Sequence, residues 1–251
     1  MRGWLYNSFM HHCRRLMLTL GLFFLLSLPA SAQPVQPITI LMPGDSSLVT
    51  APIEVSALII PGEDGLIRLT LVDRNQNLLA RMLHRVEMPG DGAIEFSAML
   101  AFEIPAETSA AILTIATQDQ AHRPLALRSI NLTLAGSGED VITSVSSIQP
   151  WLTLNEPQPG AVISASPMLI TGTVIPVNSN PIVFELLTER GGAIVSKQLA
   201  VEMPGHAIAF EIPLIYPPVT EWRDMRLIVR QSTGLAGVDA ILDSLPVIIT
   251  P

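Results

Sequence analysis

The pentapeptide Val-Glu-Met-Pro-Gly occurs at residues 86–90 and again at 201–205. Aligning the two copies brings their flanks into correspondence. ITILMPGDSSLVTAPIEVSALII (38–60) matches LTLNEPQPGAVISASPMLITGTVI (152–175), RLTLVDRNQNLLAR (68–81) matches VFELLTERGGAIVSK (183–197), and IEFSAMLAF (94–102) matches IAFEIPLIY (208–216). The offset stays between 114 and 116 throughout. Such a period is too long for a solenoid repeat and reads as one domain present twice. Whatever one unit folds into, the other must also fold into, each with a core of its own.

The units span 36–135 and 151–251, and the stretch 136–150 between them opens with Gly136-Ser137-Gly138 and reads as a linker. Val141, Ile142 and Val145 are more apolar than a free tether needs, so part of the linker is expected to pack against a domain. Within each unit the apolar runs are short, rich in β-branched residues and bounded by proline and glycine. No long helical stripe interrupts them. Seven or so alternating strands in about 100 residues predict an all-β fold of two tandem immunoglobulin-like β-sandwiches. The disulfide of antibody domains is absent, because the only cysteine is Cys13.

The alignment sets Pro43-Gly44 against Pro159-Gly160 and Ala51-Pro52 against Ser166-Pro167. The second unit carries Leu154, Pro159-Gly160, Val162, Ser166-Pro167, Ile170 and Gly172 in a spacing that resembles the immunoglobulin-like domain of bacterial spore-germination proteins. The first unit has Ala57 where that pattern has glycine, and one extra residue between its Pro-Gly and its Ala-Pro. The resemblance spans both units. It implies exported, surface-associated, non-catalytic modules.

The amino terminus points to the same compartment. Arg2, Arg14 and Arg15 precede a 13-residue apolar run, 16–28, which ends in Pro29-Ala30-Ser31-Ala32. That order is a secretory signal peptide, 1–32, with cleavage expected before Gln33. The run is short for a bilayer that needs about 20 residues, and no membrane span is expected after its removal. Removing three arginines leaves 11 basic against 22 acidic residues, a net charge near −11. Such a balance argues against nucleic acid and anionic membrane surfaces as partners.

Residues that could carry chemistry are few. Both Val-Glu-Met-Pro-Gly copies read as a strand ending at Met88 or Met203, followed by a type II turn with Gly90 or Gly205 at positive φ. Asp73-Arg74-Asn75-Gln76-Asn77 resembles the start of a calcium loop, but Leu78 and His84 stand where glycine and glutamate belong, so a hairpin turn is expected. His84, His122 and His206 lack metal-ligand spacing, and there is no nucleophile elbow. No catalytic, metal or cofactor residue is therefore assigned. Of the two tryptophans beyond the signal segment, Trp151 opens the second unit, where covering the linker or an interdomain role fits it. Trp222 lies in a loop among Glu221, Arg223 and Asp224 and is the candidate contact residue. The expected function is a secreted or cell-envelope structural or adhesive module that binds a protein or envelope component. Carbohydrate binding through an exposed aromatic near Trp222 is the alternative. Amino-terminal sequencing of the protein from the extracellular or envelope fraction should begin at or near Gln33; recovery of the intact chain from the cytosol would contradict export.

Overall fold

The computed structural model describes residues 36–86, 92–104, 107–144 and 149–251. The proposed signal segment and Gly90 lie outside the described residues. In the first half the strands are β1 (Ile38–Met42), β2 (Ser47–Thr50), β3 (Ile53–Ile59), β4 (Leu66–Asp73), β5 (Leu78–Arg85), β6 (Ile94–Leu100), β7 (Thr108–Gln118) and β8 (Pro124–Ala135). The second half repeats the order with β9 (Leu152–Glu156), β10 (Ala161–Ile163), β11 (Met168–Val174), β12 (Ile182–Leu187), β13 (Ala193–Leu199), β14 (Ile208–Leu214), β15 (Arg223–Ser232) and β16 (Asp239–Ile249). There is no helix among the described residues. The fold is all-β and immunoglobulin-like.

In each half a three-stranded sheet, β1-β3-β6 or β9-β11-β14, packs over a four-stranded row, β5-β4-β7-β8 or β13-β12-β15-β16. Alternation decides which side chains face inward. On β4 Ile67, Leu69 and Leu71 are fully buried, and on β12 Ile182, Phe184 and Leu186 are. Two separate hydrophobic cores result, one from residues between Ile38 and Leu134, the other from residues between Trp151 and Ile249. The chain changes sheets after its first strand, so that β2 runs parallel to β8 and β10 parallel to β16. Linker residues continue this edge: Val141 exchanges backbone hydrogen bonds with Leu48, and Asp140 accepts from the Thr50 amide and hydroxyl.

Register corrects one correspondence drawn from the sequence. A bulge sets Ile40 and Met42 opposite Ala57 and Ser56, and another sets Leu154 and Glu156 opposite Gly172 and Thr171. Met42 therefore matches Glu156, and Pro43 matches Pro157 rather than Pro159. The residue matching Gly160 is Ser46: both have positive φ, 64° and 77°, and their amides donate to Asn131 and Pro246 respectively. The extra residue before the second proline thus belongs to the second half, not the first. Gly44 serves another purpose, since a Cβ there would lie 2.3 Å from the Thr143 carbonyl oxygen of the linker.

The two four-stranded rows are continuous. Strand β8 pairs antiparallel with β16 through Arg128↔Ile241, Leu127↔Leu242 and Ala126↔Asp243, and with β2 and β10 the result is one ten-stranded sheet. Leu69, Ile115 and Arg128 lie side by side in the first half as Phe184, Val229 and Asp243 do in the second. Arg128 and Asp243 thus hold equivalent positions, and so do Leu127 and Leu242, which face each other. A local two-fold axis passes through that leucine pair. Ser129 Oγ donates to the Asp239 carbonyl at 2.6 Å, and its counterpart Ser244 Oγ donates to the carbonyl of Pro124, the counterpart of Asp239, at 2.9 Å.

The axis is broken by charge. Arg128 donates through both terminal nitrogens to the Asp243 carboxylate, at 3.2 and 3.1 Å, and to the Leu242 carbonyl. Trp151 Nε1 donates to Asp243 Oδ2, and the Arg128 guanidinium lies 5.7 Å from the centroid of the Trp151 ring. With its amide oriented to accept, Gln36 takes hydrogen bonds from Arg128 Nε and Nη2 at 2.8 and 3.1 Å. A second ionic group flanks the first. Buried Arg226 of β15 sits 3.4 Å from Asp119 in the β7–β8 hairpin and 3.4 Å from Glu63, and Arg123 Nε donates to Asp119 at 2.7 Å. Burial pushes the Asp119 carboxyl up, but the Arg123 amide and guanidinium, with the Arg226 charge, outweigh it and hold the carboxyl below its usual range. Its contribution to stability is present above the ordinary carboxylate pKa and is lost as pH falls through the lowered value.

The departure at Ala57 has a steric basis. A Cβ on Gly172 would lie 2.2 Å from the Thr153 carbonyl oxygen and 3.0 Å from Phe210 Cζ. Ala57, at the equivalent place opposite Phe96, is itself buried. Gly172→Ala should therefore destabilise the protein by about 1–3 kcal/mol through overpacking, read as a lower urea midpoint with an unchanged slope. A neutral Gly172→Ala would show that β9 and the Phe210 ring of the same sheet move aside there at no cost.

Candidate functional site

Trp222 is presented by a stiff arm. After β14 the chain runs Ile215, Tyr216, Pro217, Pro218 and Val219 before reaching Trp222 at the foot of β15. Tyr216 anchors it: the ring is buried, its hydroxyl donates to the Ala165 carbonyl at 3.0 Å, and its amide donates to Ser166 Oγ at 3.2 Å. Burial raises the Tyr216 phenol above its usual range. Val219 packs on the second core. The two prolines between these anchors fix their own φ angles and limit the arm's freedom. Trp222 is left 67% exposed.

An open groove of about 430 Å³ lies where the β12–β13 hairpin meets the start of β15, and Trp222 is not among its lining residues. One wall is Thr188, Glu189 and Arg190 of the β12–β13 hairpin; the other is Arg223, Asp224 and Met225, which begin β15 directly after Trp222. The hairpin is held by Thr188 N donating to the Gly192 carbonyl and Gly191 N to the Thr188 carbonyl, with Gly191 at φ 78°. Arg223 forms an ion pair with Glu221, and both are exposed, so the pair adds little stability. The exposed indole can stack on a flat or apolar surface, and the mixed guanidinium and carboxylate groups of the groove can hydrogen-bond polar groups.

The other residues singled out in the sequence serve structure. Asp73 Oδ1 accepts the amides of Asn75 and Asn77 at 2.8 Å each, and Oδ2 accepts Asn77 Nδ2 at 2.7 Å. Those hydrogen bonds, the Asn77 side chain first and against the effect of burial, hold the Asp73 carboxyl below its usual range. The carboxylate shapes the β4–β5 turn that was expected there. His84 packs edge-on against Phe96, with ring centroids 5.2 Å apart. His122 occupies the positive-φ place of the β7–β8 turn, and His206 Nδ1 lies 3.3 Å from the Pro204 carbonyl. No group of three or more His, Cys, Asp or Glu among the described residues is placed to hold a metal ion.

At the second Val-Glu-Met-Pro-Gly, Gly205 has φ 78°, as the expected turn requires, and its amide donates outside the turn to the Pro176 carbonyl at 2.7 Å. The strand before it ends at Leu199 rather than at Met203. Val201 leaves the ladder to pack on the second core, which ends the pairing early. Trp151 is buried at the junction, not exposed. The Arg128–Asp243 pair escaped the sequence reading, although the aligned repeats place opposite charges at that position.

No protein-family model matches the chain, and no curated protein matches it significantly. Among solved structures it is similar to the fibronectin(III)-like modules of Clostridium thermocellum CbhA, at 15% identity over 85% of this chain and 93% of that one, with a TM-score of 0.25. It is similar to a Salmonella alpha-2-macroglobulin mutant at 14% identity, over 89% of this chain and 15% of that one, with a TM-score of 0.27. The enterotoxigenic E. coli CFA/I adhesin CfaE mutant matches at 10% identity over 88% of this chain and 84% of that one, with a TM-score of 0.21. Superposition this loose leaves the fold assignment to rest on strand order and register.

Proposed function

We propose that this protein is an exported, non-catalytic interaction module: two duplicated immunoglobulin-like sandwiches, kin to the spore-germination type, that present the Trp222 end to a protein or cell-envelope component. The observation that carries the reading is the 67% exposure of Trp222 on an arm anchored at Tyr216 and Val219. A large aromatic held rigidly in water costs solvation and returns it on contact with a partner. The charged groups deeper in the fold support a structural assignment, since Arg128, Asp243, Asp119 and Arg226 are engaged at the junction. The secretory layout of 1–32 supports a site of action outside the cytoplasm.

Carbohydrate is the second ligand class, favoured by the exposed indole and by the polar groove of Glu189, Arg190, Arg223 and Asp224, whose β15 wall begins at the residue after Trp222. The test is binding of the exported protein to isolated envelope material from its source and to a panel of soluble glycans. Trp222→Ala should weaken binding by about tenfold or more, the loss of one aromatic anchor, and leave the melting temperature unchanged. Competition by a soluble glycan would select the carbohydrate reading. Undiminished envelope binding by the variant would reject the Trp222 site.

A further inference from the structure

The joining of β8 to β16 uses up one edge from each half. Among the described residues the ten-stranded sheet then ends in two open edges, β5 and β13, each paired on one side only. An open edge carries unpaired backbone groups that a further strand can join, and proteins commonly guard it with an inward-pointing charge. The edge at β13 has such a guard. Lys197 lies opposite Phe184, whose side chain faces the core, and Lys197 Nζ reaches across to the Pro213 carbonyl of the facing sheet at 3.2 Å.

The β5 edge is built differently. Ala80, Met82 and His84 lie opposite Leu71, Leu69 and Ile67, so they take the core side, and among the described residues no Lys, Arg, Asp or Glu of β5 does. Arg81, Leu83 and Arg85 lie opposite Thr70, Arg68 and Leu66, on the outer face. Leu83 is 55% exposed between the two arginines, and Leu78 is 58% exposed at the strand's start. Arg81 and Arg85, with Arg74 in the adjoining turn, form no ion pair among the described residues, whereas Arg68, Arg123, Arg128, Arg226 and Arg230 all do. A row of cations, unpaired among the described residues, flanks an exposed leucine on a chain that is acidic as a whole.

We propose that β5 is a docking edge for an extended acidic polypeptide, which adds as a further strand beyond β5 with acidic, apolar and acidic side chains opposite Arg81, Leu83 and Arg85. Backbone hydrogen bonds supply affinity, and the alternate side chains supply specificity. Cross-strand pairs of opposite charge favour this partner over a basic one. On the core side the added strand places small apolar residues next to Met82, which is only partly buried, and His84. The surface is independent of the Trp222 end, so either assignment can fail without the other.

The probe is an end-blocked peptide, Glu-Val-Leu-Val-Glu, titrated into the exported protein and followed by isothermal calorimetry and amide hydrogen exchange. Saturable binding is expected, with slowed exchange confined to residues 78–85. The double variant Arg81→Glu, Arg85→Glu should weaken it by at least about tenfold without lowering the melting temperature. The same peptide N-methylated at alternate residues should not bind, a result that needs no change to the protein. The proposal is overturned if no saturable binding appears at millimolar peptide, or if the N-methylated peptide binds equally. Equal binding of polyglutamate without protection of 78–85 would show charge attraction alone and would also overturn it.

Discussion

The Arg128–Asp243 pair decides what kind of object this protein is. Two sandwiches with two cores could swing on a linker. Instead, a bidentate guanidinium–carboxylate contact, with side chains 8% and 16% exposed, sits where their last strands meet. Trp151 and Gln36 satisfy further polar atoms of the two groups. A buried pair of this kind adds little over a well-packed apolar contact, yet losing one partner costs about 3–5 kcal/mol because the other charge is stranded. Its effect is therefore specificity. Since Arg128 and Asp243 occupy equivalent places, two copies of the first half meeting in this way would set arginine against arginine, and two copies of the second would set aspartate against aspartate. Only unlike halves match.

That geometry makes the junction resemble a two-fold dimer interface within one chain. The leucine pair lies on the axis, and the Ser129 and Ser244 hydrogen bonds repeat on either side of it. Arg226, Asp119 and Glu63 then tie the β7–β8 hairpin of the first half to β15 of the second. Joining the sheets hides the edges of β8 and β16 from other chains. It also places the proposed β5 edge and the Trp222 end on one continuous framework, so that two partners would meet a fixed geometry rather than a tethered pair of modules.

Much of the fold was legible in the sequence because alternation and turn residues are local signals. The repeat located the strands of both halves, and Asp73-Arg74-Asn75-Gln76-Asn77 read as a hairpin turn, which its carboxylate hydrogen bonds bear out. What was missed depends on register or on distance. The match of Pro43 to Pro157 follows from a bulge that no residue type announces, and β13 stops at Leu199 because Val201 finds the core. Trp222 was recognised as a candidate, but the groove was not: Thr188, Glu189 and Arg190 lie more than 30 residues from Arg223 and are brought to it only through β12–β15 pairing. The Arg128–Asp243 contact spans 115 residues and depends on two edge strands choosing each other.

Scanning calorimetry of the protein tests this account most directly. If the junction couples the halves, the protein melts in one transition whose calorimetric and van't Hoff enthalpies agree for the whole chain. Arg128→Asp should split that transition in two, and adding Asp243→Arg should restore one. Two independent transitions in the unaltered protein, with neither moved by the Arg128 reversal, would contradict it: the sandwiches would then be separate bodies and the continuous sheet no more than a contact between them.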